Sequence, residues 1–289
     1  MRFVLLILAL VSALPAWAAE LKITSWNIAW LTLRPANDPD LPRNLTPRQP
    51  GDFTLLADYA RRLDADVVAL QEVDGPEAAA RIFNPRDYAF FFPDERDIQR
   101  TGFAVKRSLR AIRNADLAAL DLTPHARFSQ RRGTDITLEH EGRMLRLLSV
   151  HLNAGCREGP MDAGRGRECE TLSRQSEVLA GWVAARRAED TAFAILGDFN
   201  RRIPDARDDM LVQLTRAAPL TRVNEGFSNP CWSDARGGRP FISHILLGGP
   251  AQRWVVPGSL RVMVYAERDP AMRDRLSDHC PVSFRVRMN

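Results

Sequence analysis

Residues 191–200, which read TAFAILGDFN, decide the fold. Residues 192–196 are a short, unbroken apolar run, which is the pattern of a strand buried on both faces of a sheet. Gly197-Asp198-Phe199-Asn200 ends this run with an acid and an amide. Ligand sites in sheet proteins gather where strands end. This segment therefore predicts a buried strand that delivers polar side chains to a cleft.

The sequence on either side alternates between helical and extended patterns. Leu172, Gln175, Leu179, Trp182 and Val183 share one face of a helix that leads into the 192–196 strand. Further strands are predicted at residues 21–26, 67–70, 88–92, 102–105, 134–138, 144–150, 241–247, 260–264 and 281–286, and further helices at 53–63 and 208–214. This mixture predicts an α/β (α+β) fold in which helices cover β-sheets.

The composition is that of a globular protein. Of the 289 residues, 45% are hydrophobic and 26% are charged, which excludes disorder, collagen and coiled coil as the overall architecture. A chain of this length suits one large domain or two small ones. No repeat or linker interrupts it, so we expect one domain over residues 19–289.

The first 18 residues have the pattern of a signal peptide. A positive start at Met1-Arg2 is followed by an apolar run over residues 3–14, and Ala16-Trp17-Ala18 is a small-x-small cleavage pattern. The alternative, a membrane anchor, needs about 20 apolar residues, and this run ends before Pro15. No later stretch is long and apolar enough to span a bilayer. We therefore expect a protein exported to the periplasm or the medium.

The four cysteines, Cys156, Cys169, Cys231 and Cys280, predict two disulfides in an exported chain. Three connectivities are possible. The glycine-rich loop between Cys156 and Cys169 favours a bridge between those two, which leaves Cys231 with Cys280. A zinc site is the alternative, but no Cys-x-x-Cys or neighbouring histidine spacing supports it.

Polar side chains follow several of the predicted strands. They are Asn27, Glu72, His151, Asp198, Asn200, Asp278 and His279. Each could, by itself, be a turn residue, a solvated strand end or a satisfied buried imidazole. Together, carboxylates, amides and two histidines are the groups that metal-assisted phosphoester hydrolysis needs. Mg²⁺ prefers one or two carboxylate oxygens, and Glu72 fits that requirement.

The ordered set Trp26-Asn27, Gln71-Glu72, His151, Gly197-Asp198-Phe199-Asn200 and Ser277-Asp278-His279 resembles the endonuclease/exonuclease/phosphatase superfamily. That superfamily includes deoxyribonuclease I, the exonuclease III type repair enzymes, sphingomyelinases and inositol polyphosphate phosphatases. The resemblance extends over residues 21–286. It implies a four-layer αββα sandwich, in which two mixed β-sheets pack face to face, with the active site at one edge.

The resemblance also implies a role for each strand-end residue. Glu72 would bind Mg²⁺ or Mn²⁺, with Asn27 beside it and Asp278 in support. Asp198 would orient or deprotonate the attacking water, and Asn200 would hydrogen-bond that water or a phosphate oxygen. His279 would lie against the scissile phosphate as acid, base or stabiliser of charge, and His151 would be the general acid for the leaving oxygen. Imidazoles suit these roles because they exchange protons near neutral pH.

Ser243 departs from the family pattern. In residues 241–245, FISHI, the family usually has an aspartate at the position of Ser243, and that carboxylate orients the histidine matching His279. A serine accepts a hydrogen bond but cannot stabilise an imidazolium by charge. Reduced activity is the consequence to be tested.

The favoured hypothesis is an exported, divalent-metal-dependent phosphodiesterase, acting as a monomer and as an endonuclease on DNA or RNA. Lys106, Arg107, Arg201 and Arg202 are the candidate phosphate contacts, although all four could be ordinary solvated cations. A phosphatase or a sphingomyelinase-like phospholipid phosphodiesterase is the alternative. Lipid binding would need an exposed aromatic hairpin, for which only residues 88–92 qualify, and a buried strand is the favoured interpretation there. A third hypothesis, a non-catalytic binding protein with the same fold, is supported by Ser243 alone.

Overall fold

The structure is a computed structural model that describes residues 19–126, 129–162, 166–232 and 238–288. The predicted signal peptide, residues 1–18, lies outside the described residues. The strands are β1 (Glu20–Leu31), β2 (Val67–Val73), β3 (Tyr88–Phe91), β4 (Arg100–Lys106), β5 (Arg110–Arg113), β6 (Thr134–His140), β7 (Arg143–His151), β8 (Phe193–Asp198), β9 (Leu220–Arg222), β10 (Ser243–Gly248), β11 (Arg261–Val262) and β12 (Val282–Arg287). The α-helices are α1 (Pro50–Leu63), α2 (Pro76–Ala79), α3 (Arg167–Ala188), α4 (Asp209–Ala217) and α5 (Ala271–Arg275).

Within the described residues, these strands form two sheets of six. One sheet has the order β11-β12-β1-β2-β4-β3 and the other has the order β5-β6-β7-β8-β10-β9. The pairs β1–β2 and β7–β8 are parallel, and the other pairs are antiparallel. Both sheets are therefore mixed, as the family resemblance implied.

Three apolar clusters explain the layering. Ile23 and Val67 from one sheet and Leu147 from the other belong to a central cluster between the sheets. Successive side chains of a strand point to opposite faces. Accordingly, Val68, next to Val67, packs in a second cluster under α1, and α3 and α4 cover the outer face of the second sheet through a third. The predicted four-layer αββα sandwich is confirmed.

The aromatic stretch 88–92 is a buried edge strand. Tyr88 and Phe92 are buried, and the stretch pairs with β4 through β3. The exposed aromatic hairpin that lipid binding would need is therefore not formed by these residues.

The structure differs from the sequence predictions in two edge strands and in the length of one further strand. The predicted strand at residues 260–264 is only the two-residue β11. The sequence patterns did not predict β5 or β9. β5 (Arg110–Arg113) is rich in arginine and largely exposed, and charged side chains of this kind protect a sheet edge. β5 therefore lacks the apolar pattern by which a buried strand is predicted.

Both predicted disulfides are present. Cys156–Cys169 ties the loop after β7 to the first turn of α3. Cys231–Cys280 anchors the residue that follows His279. Across the residues that the structure describes, no helix has the length and apolarity to cross a membrane.

Candidate active site

The ends of four strands bring the candidate residues to one edge of the sandwich. Asn27 on β1 is in register with Gln71 on the parallel strand β2. In the other sheet, His151 at the end of β7 is in register with Asp198 at the end of the parallel strand β8. Parallel pairs place the carboxyl ends of neighbouring strands side by side, which is why residues far apart in the sequence meet here.

Glu72 is turned into the site by an irregularity in its strand. The register of β2 with β1 shifts after Asn27, and its register with β4 shifts after Leu70. Glu72 itself has a left-handed backbone, with φ of 59°. Bulges of this kind redirect a side chain and occur near active sites. The bulge directs the carboxylate of Glu72 toward the second sheet and away from the sheet to which β2 belongs.

Asn27 joins the carboxylates of the two sheets. Its Nδ2 donates to Glu72 Oε1 at 2.9 Å and to Asp198 Oδ2 at 3.1 Å. The other oxygen of Glu72 accepts from the Trp30 backbone N–H at 3.2 Å and from Gln99 Nε2. Burial nevertheless raises the pKa of Glu72, because desolvation disfavours the charged form.

Glu72, His151 and Asp198 form a group that could hold a metal ion. One oxygen or nitrogen from each lies within 4.8 Å of the others. His151 Nε2 is 3.7 Å from Glu72 Oε1 and 4.0 Å from Asp198 Oδ2. Its Nδ1 is buried and has no hydrogen-bond partner among the described residues. Burial, followed by the positive charge of Arg131, keeps the pKa of His151 well below its ordinary value, so this imidazole is neutral.

His279 faces the same carboxylates from the other side. Its Nε2 is 3.3 Å from Asp198 Oδ2, and its Nδ1 is 3.2 Å from Ser243 Oγ. Burial acts to lower its pKa, but Asp198, Asp278 and Glu72 together raise it above the ordinary value. The site thus holds one neutral and one readily protonated histidine.

Asp278 and Asn200 occupy less central positions. Asp278 is 46% exposed in its side chain, and its Oδ2 lies 4.0 Å from His279 Nε2, so it stands at the rim and outside the Glu72, His151 and Asp198 group. Asn200 is buried, and its Nδ2 donates to Leu152 O at 3.0 Å. Its backbone N–H donates to Asp198 Oδ1 at 2.9 Å, which orients that carboxylate.

Comparison with known proteins decides the family. The profile of the Endonuclease/Exonuclease/phosphatase family matches residues 24–279. The chain belongs to this family. Members are phosphoester hydrolases, and the match includes every candidate residue from Asn27 to His279. No curated protein matches the sequence.

Solved structures of the Endonuclease/Exonuclease/phosphatase fold resemble this one at low sequence identity. D. rerio TDP2, complexed with single strand DNA product, is 18% identical, with a TM-score of 0.56 over 92% of this chain and 98% of that chain. A Bacteroides vulgatus endonuclease/exonuclease/phosphatase is 12% identical, with a TM-score of 0.58 over 94% and 100%. The human Nocturnin catalytic domain, with bound sulfate anion, is 15% identical, with a TM-score of 0.55 over 92% and 93%. These likenesses show the fold.

Ser243 lies where the family resemblance placed it. It is in register with Asp198 across β8 and β10, and its hydroxyl faces His279 Nδ1. The hydroxyl orients the ring by hydrogen bonding but contributes no charge. Asp198, on the Nε2 side, is the nearest carboxylate to this imidazole.

We expect Ser243→Asp to leave turnover unchanged or to raise it by up to about tenfold, because a carboxylate beside Nδ1 stabilises the imidazolium. The measurement is kcat on a phosphodiester substrate at constant metal concentration. Ser243→Asn is the matched control, since it has the shape of aspartate without its charge. A large loss of turnover in Ser243→Asp alone would contradict the role assigned to Ser243.

Three of the four proposed phosphate contacts are not at this site. Lys106 ends β4 and forms ion pairs with Asp64 and Asp66 at 2.8 Å and 3.0 Å. It is six residues along the strand from Arg100, or about 20 Å from the Glu72 end. Arg107 lies at that same distant end, where its Nε donates to Pro85 O.

Arg201 is buried instead of exposed to substrate. Its side chain is 1% exposed and forms an ion pair with Asp208 at 2.8 Å. It also donates to the carbonyl oxygens of Cys156 and Gly159, so it organises the disulfide-bridged loop. Arg202 is half-exposed and paired with Glu158 at 2.9 Å. Of the four predicted contacts, Arg202 alone keeps a surface position near the end of β8.

Sequence reasoning missed two residues that support the site. Gln99 donates to Glu72, although it lies in a loop without periodicity. Arg48 lies in a proline-rich loop, and its guanidinium donates to the carbonyl oxygens of Ile28, Ala29, Trp30, Arg275 and Leu276. It thereby joins the end of β1 to the segment that leads to His279. No local signal distinguishes either residue from an ordinary loop side chain.

A cavity of about 1630 Å³ lies beside the site. Gln99, Arg131 and Asn153 line it near Glu72 and His151, and Glu95 lines it farther out. Glu95 is unusual because its side chain is only 4% exposed and its Oε1 has no hydrogen-bond partner among the described residues. Burial raises the pKa of Glu95 to about 7.

This pKa predicts that Glu95 destabilises the fold as the pH rises. Between about 4.5 and 7 the folded protein holds a proton on Glu95 that the unfolded chain has lost, so stability falls across this window. We expect Glu95→Gln to raise the free energy of unfolding by on the order of 2–3 kcal/mol at pH 8 and by little at pH 4.5. The measurement is urea unfolding at both values. The exposed Glu170→Gln, on the same cavity, is the control, and an equal effect at both pH values would contradict the prediction.

Proposed function

We propose that this protein is an exported, divalent-metal-dependent phosphodiesterase that acts as an endonuclease on DNA or RNA. The observation that carries the proposal is the meeting of Glu72, His151 and Asp198 with His279 at one cleft. TDP2 supports a nucleic acid substrate, since that protein has the same fold and is seen with single strand DNA product. The signal-peptide pattern and the paired cysteines support export, and we propose a monomer of one domain over residues 19–289.

The donor set fits a divalent cation. Carboxylate oxygens from Glu72 and Asp198 are suited to Mg²⁺ or Mn²⁺, and His151, whose Nε2 faces both carboxylates, could add a nitrogen ligand, which Mn²⁺ accepts more readily than Mg²⁺. When bound, the cation supplies Lewis-acid polarisation of a phosphoryl oxygen. Asn27 holds both carboxylates in place, and Asp278 supports the site from its rim.

Asp198 is the residue best placed to take a proton from the attacking water. Its Oδ2 lies within reach of Asn27 and His279, and its Oδ1 is fixed by the Asn200 backbone N–H.

His279 is the better placed of the two histidines to donate a proton. The neighbouring carboxylates raise the pKa of His279, which favours its charged form, and its Nε2 and Nδ1 face Asp198 and Ser243. It can therefore donate to the phosphate or to the leaving oxygen. His151, whose pKa burial lowers, faces Glu72 and Asp198 through its Nε2, and the general-acid role that the resemblance implies for it stays a prediction.

The test is nicking of supercoiled plasmid by the purified mature protein. We expect nicking in Mg²⁺ or Mn²⁺ that disappears in EDTA and in Glu72→Gln, which keeps the shape of Glu72 and removes its charge. Glu170→Gln is the matched control because it leaves the site untouched. A folded protein that leaves plasmid intact but hydrolyses a phosphomonoester or releases a lipid head group would replace the nuclease with a phosphatase or lipid phosphodiesterase. Hydrolysis of none of these substrates would support the non-catalytic alternative.

A further inference from the structure

Trp30 lines the cavity beside Glu72, which has a volume of about 1630 Å³, and it also lines a smaller cavity of about 160 Å³. Trp30 is half-buried, and none of the aromatic pairs among the described residues includes its ring. Part of this aromatic residue therefore remains accessible next to the site.

The backbone holds Trp30 in a strained position. Ala29 and Trp30 have left-handed φ angles of 37° and 55°, which residues with a side chain seldom adopt. Such strain persists only where surrounding contacts enforce it, and it is concentrated at functional sites. Arg48 enforces it by donating to the carbonyl oxygens of Ile28, Ala29 and Trp30 at 2.7–2.9 Å, and it also donates to those of Arg275 and Leu276.

This conformation fixes the indole relative to the reacting groups. The Trp30 N–H donates to Glu72 Oε2, so the residue that presents the ring also contacts the candidate metal ligand directly. Trp30 therefore lies next to the part of the site where the scissile phosphate of a substrate would bind.

The opposite side of the cavity offers a cation. Arg131 lines the cavity, and its Nη2 donates to Leu152 O, one residue beyond His151. Its Nε is buried and has no hydrogen-bond partner among the described residues. Arg34, on the Trp30 side, is already paired with Asp74 at 2.9 Å. The cavity is therefore lined by an aromatic residue and by a guanidinium, a combination that suits an anion joined to a planar group.

We propose that Trp30 is an aromatic platform on which a nucleobase adjoining the scissile phosphate stacks. This inference rests on the proposed function and narrows its substrate class to nucleotides and nucleic acids, in preference to phosphoesters without a ring. Bases stack on aromatic side chains whatever their identity, because every base has a π-face, so the platform selects for a base and not for a sequence. The cavity exceeds the roughly 300–1,000 Å³ of ordinary small-molecule pockets, which leaves room for more than one nucleotide.

The test compares two products that differ only in the base. Binding of deoxyadenosine 5′-monophosphate and of 2-deoxyribose 5-phosphate is measured by calorimetry in Mg²⁺. We expect the wild type to bind the nucleotide at least about tenfold more tightly than the sugar phosphate, and Trp30→Leu to lose that preference. Trp30→Phe keeps a ring and should retain the preference to within about threefold.

Indole fluorescence provides a readout that does not depend on the leucine variant folding. We expect the nucleotide, but not the sugar phosphate, to quench a component of the emission that is missing in Trp30→Phe. The platform proposal would be rejected if the wild type bound the two ligands with equal affinity. It would also be rejected if a folded Trp30→Leu variant lost affinity for both ligands to the same extent. If the wild type nicks plasmid but shows no preference for the base, the nuclease proposal stands and the Trp30 platform is rejected. If it prefers the base but hydrolyses nothing, the nuclease proposal is rejected and the platform stands.

Discussion

Replacement of His279 by asparagine is expected to lower turnover on DNA by about 10²–10⁴-fold, which is the range for loss of a general acid or base. His279 is the imidazole whose pKa the neighbouring carboxylates raise, and it lies between Asp198 and Ser243. Asparagine keeps a hydrogen-bond donor there but cannot deliver a proton. The loss should therefore appear in kcat, with a much smaller change in KM.

The leaving group distinguishes how His279 acts. A proton donor to the leaving oxygen matters for DNA, whose leaving group is a poor alkoxide, and matters much less for a p-nitrophenyl diester. We expect His279→Asn to cost at least about tenfold more on DNA than on the nitrophenyl substrate. Equal losses would assign His279 to stabilising charge on the phosphate. His140→Gln is the control, because that residue ends β6, far from the site, and it should change neither rate.

The second large effect is expected on stability, from Arg201→Ala. Arg201 and Asp208 are an ion pair with side chains 1% and 3% exposed, and Asp208 also caps α4 by accepting from the Met210 and Leu211 N–H groups. Removal of one member of a buried pair leaves an uncompensated charge, which typically costs 3–5 kcal/mol. We expect a loss of about that size in the free energy of unfolding, measured in urea with the disulfides intact.

The neighbouring arginine is the matched control. Arg202 is 39% exposed in its side chain and pairs with an exposed Glu158, so Arg202→Ala should cost less than about 1 kcal/mol. If Arg202 contacts nucleic acid, its variant should also reduce the dependence of DNA affinity on salt. An unchanged stability in Arg201→Ala would contradict the structural role given to that residue.

The candidate site could be predicted because its members follow buried strands. His151 and Asp198 end two apolar runs that pair in parallel in one sheet, and Glu72 follows the apolar run of β2, which pairs in parallel with β1 in the other sheet. The family resemblance supplied what periodicity cannot, namely that two sheets face each other with one shared edge.

The rest depends on contacts between distant segments. Arg201 and Arg202 are adjacent and chemically identical, yet one is buried against Asp208 and the other is half-exposed. No sequence pattern separates them, because the burial of Arg201 comes from the loop that Cys156 begins. Arg48 and Gln99, which both lie in loops, could not be predicted for the same reason, because their partners are set by tertiary packing. The positive φ of Glu72 is likewise a consequence of pairing with two strands at once.

The site cannot form during synthesis before β12 has been made, because β12 pairs with β1. Glu20 is opposite Arg287, so the earliest strand of the fold joins the latest, in the middle of a sheet. An incomplete nascent chain has no β12 and no His279, and the edge of β1 stays open until both have been synthesised. Contacts so distant in sequence raise the contact order, which slows folding. The candidate site can therefore form only after the whole domain has been synthesised, and no N-terminal fragment can contain it.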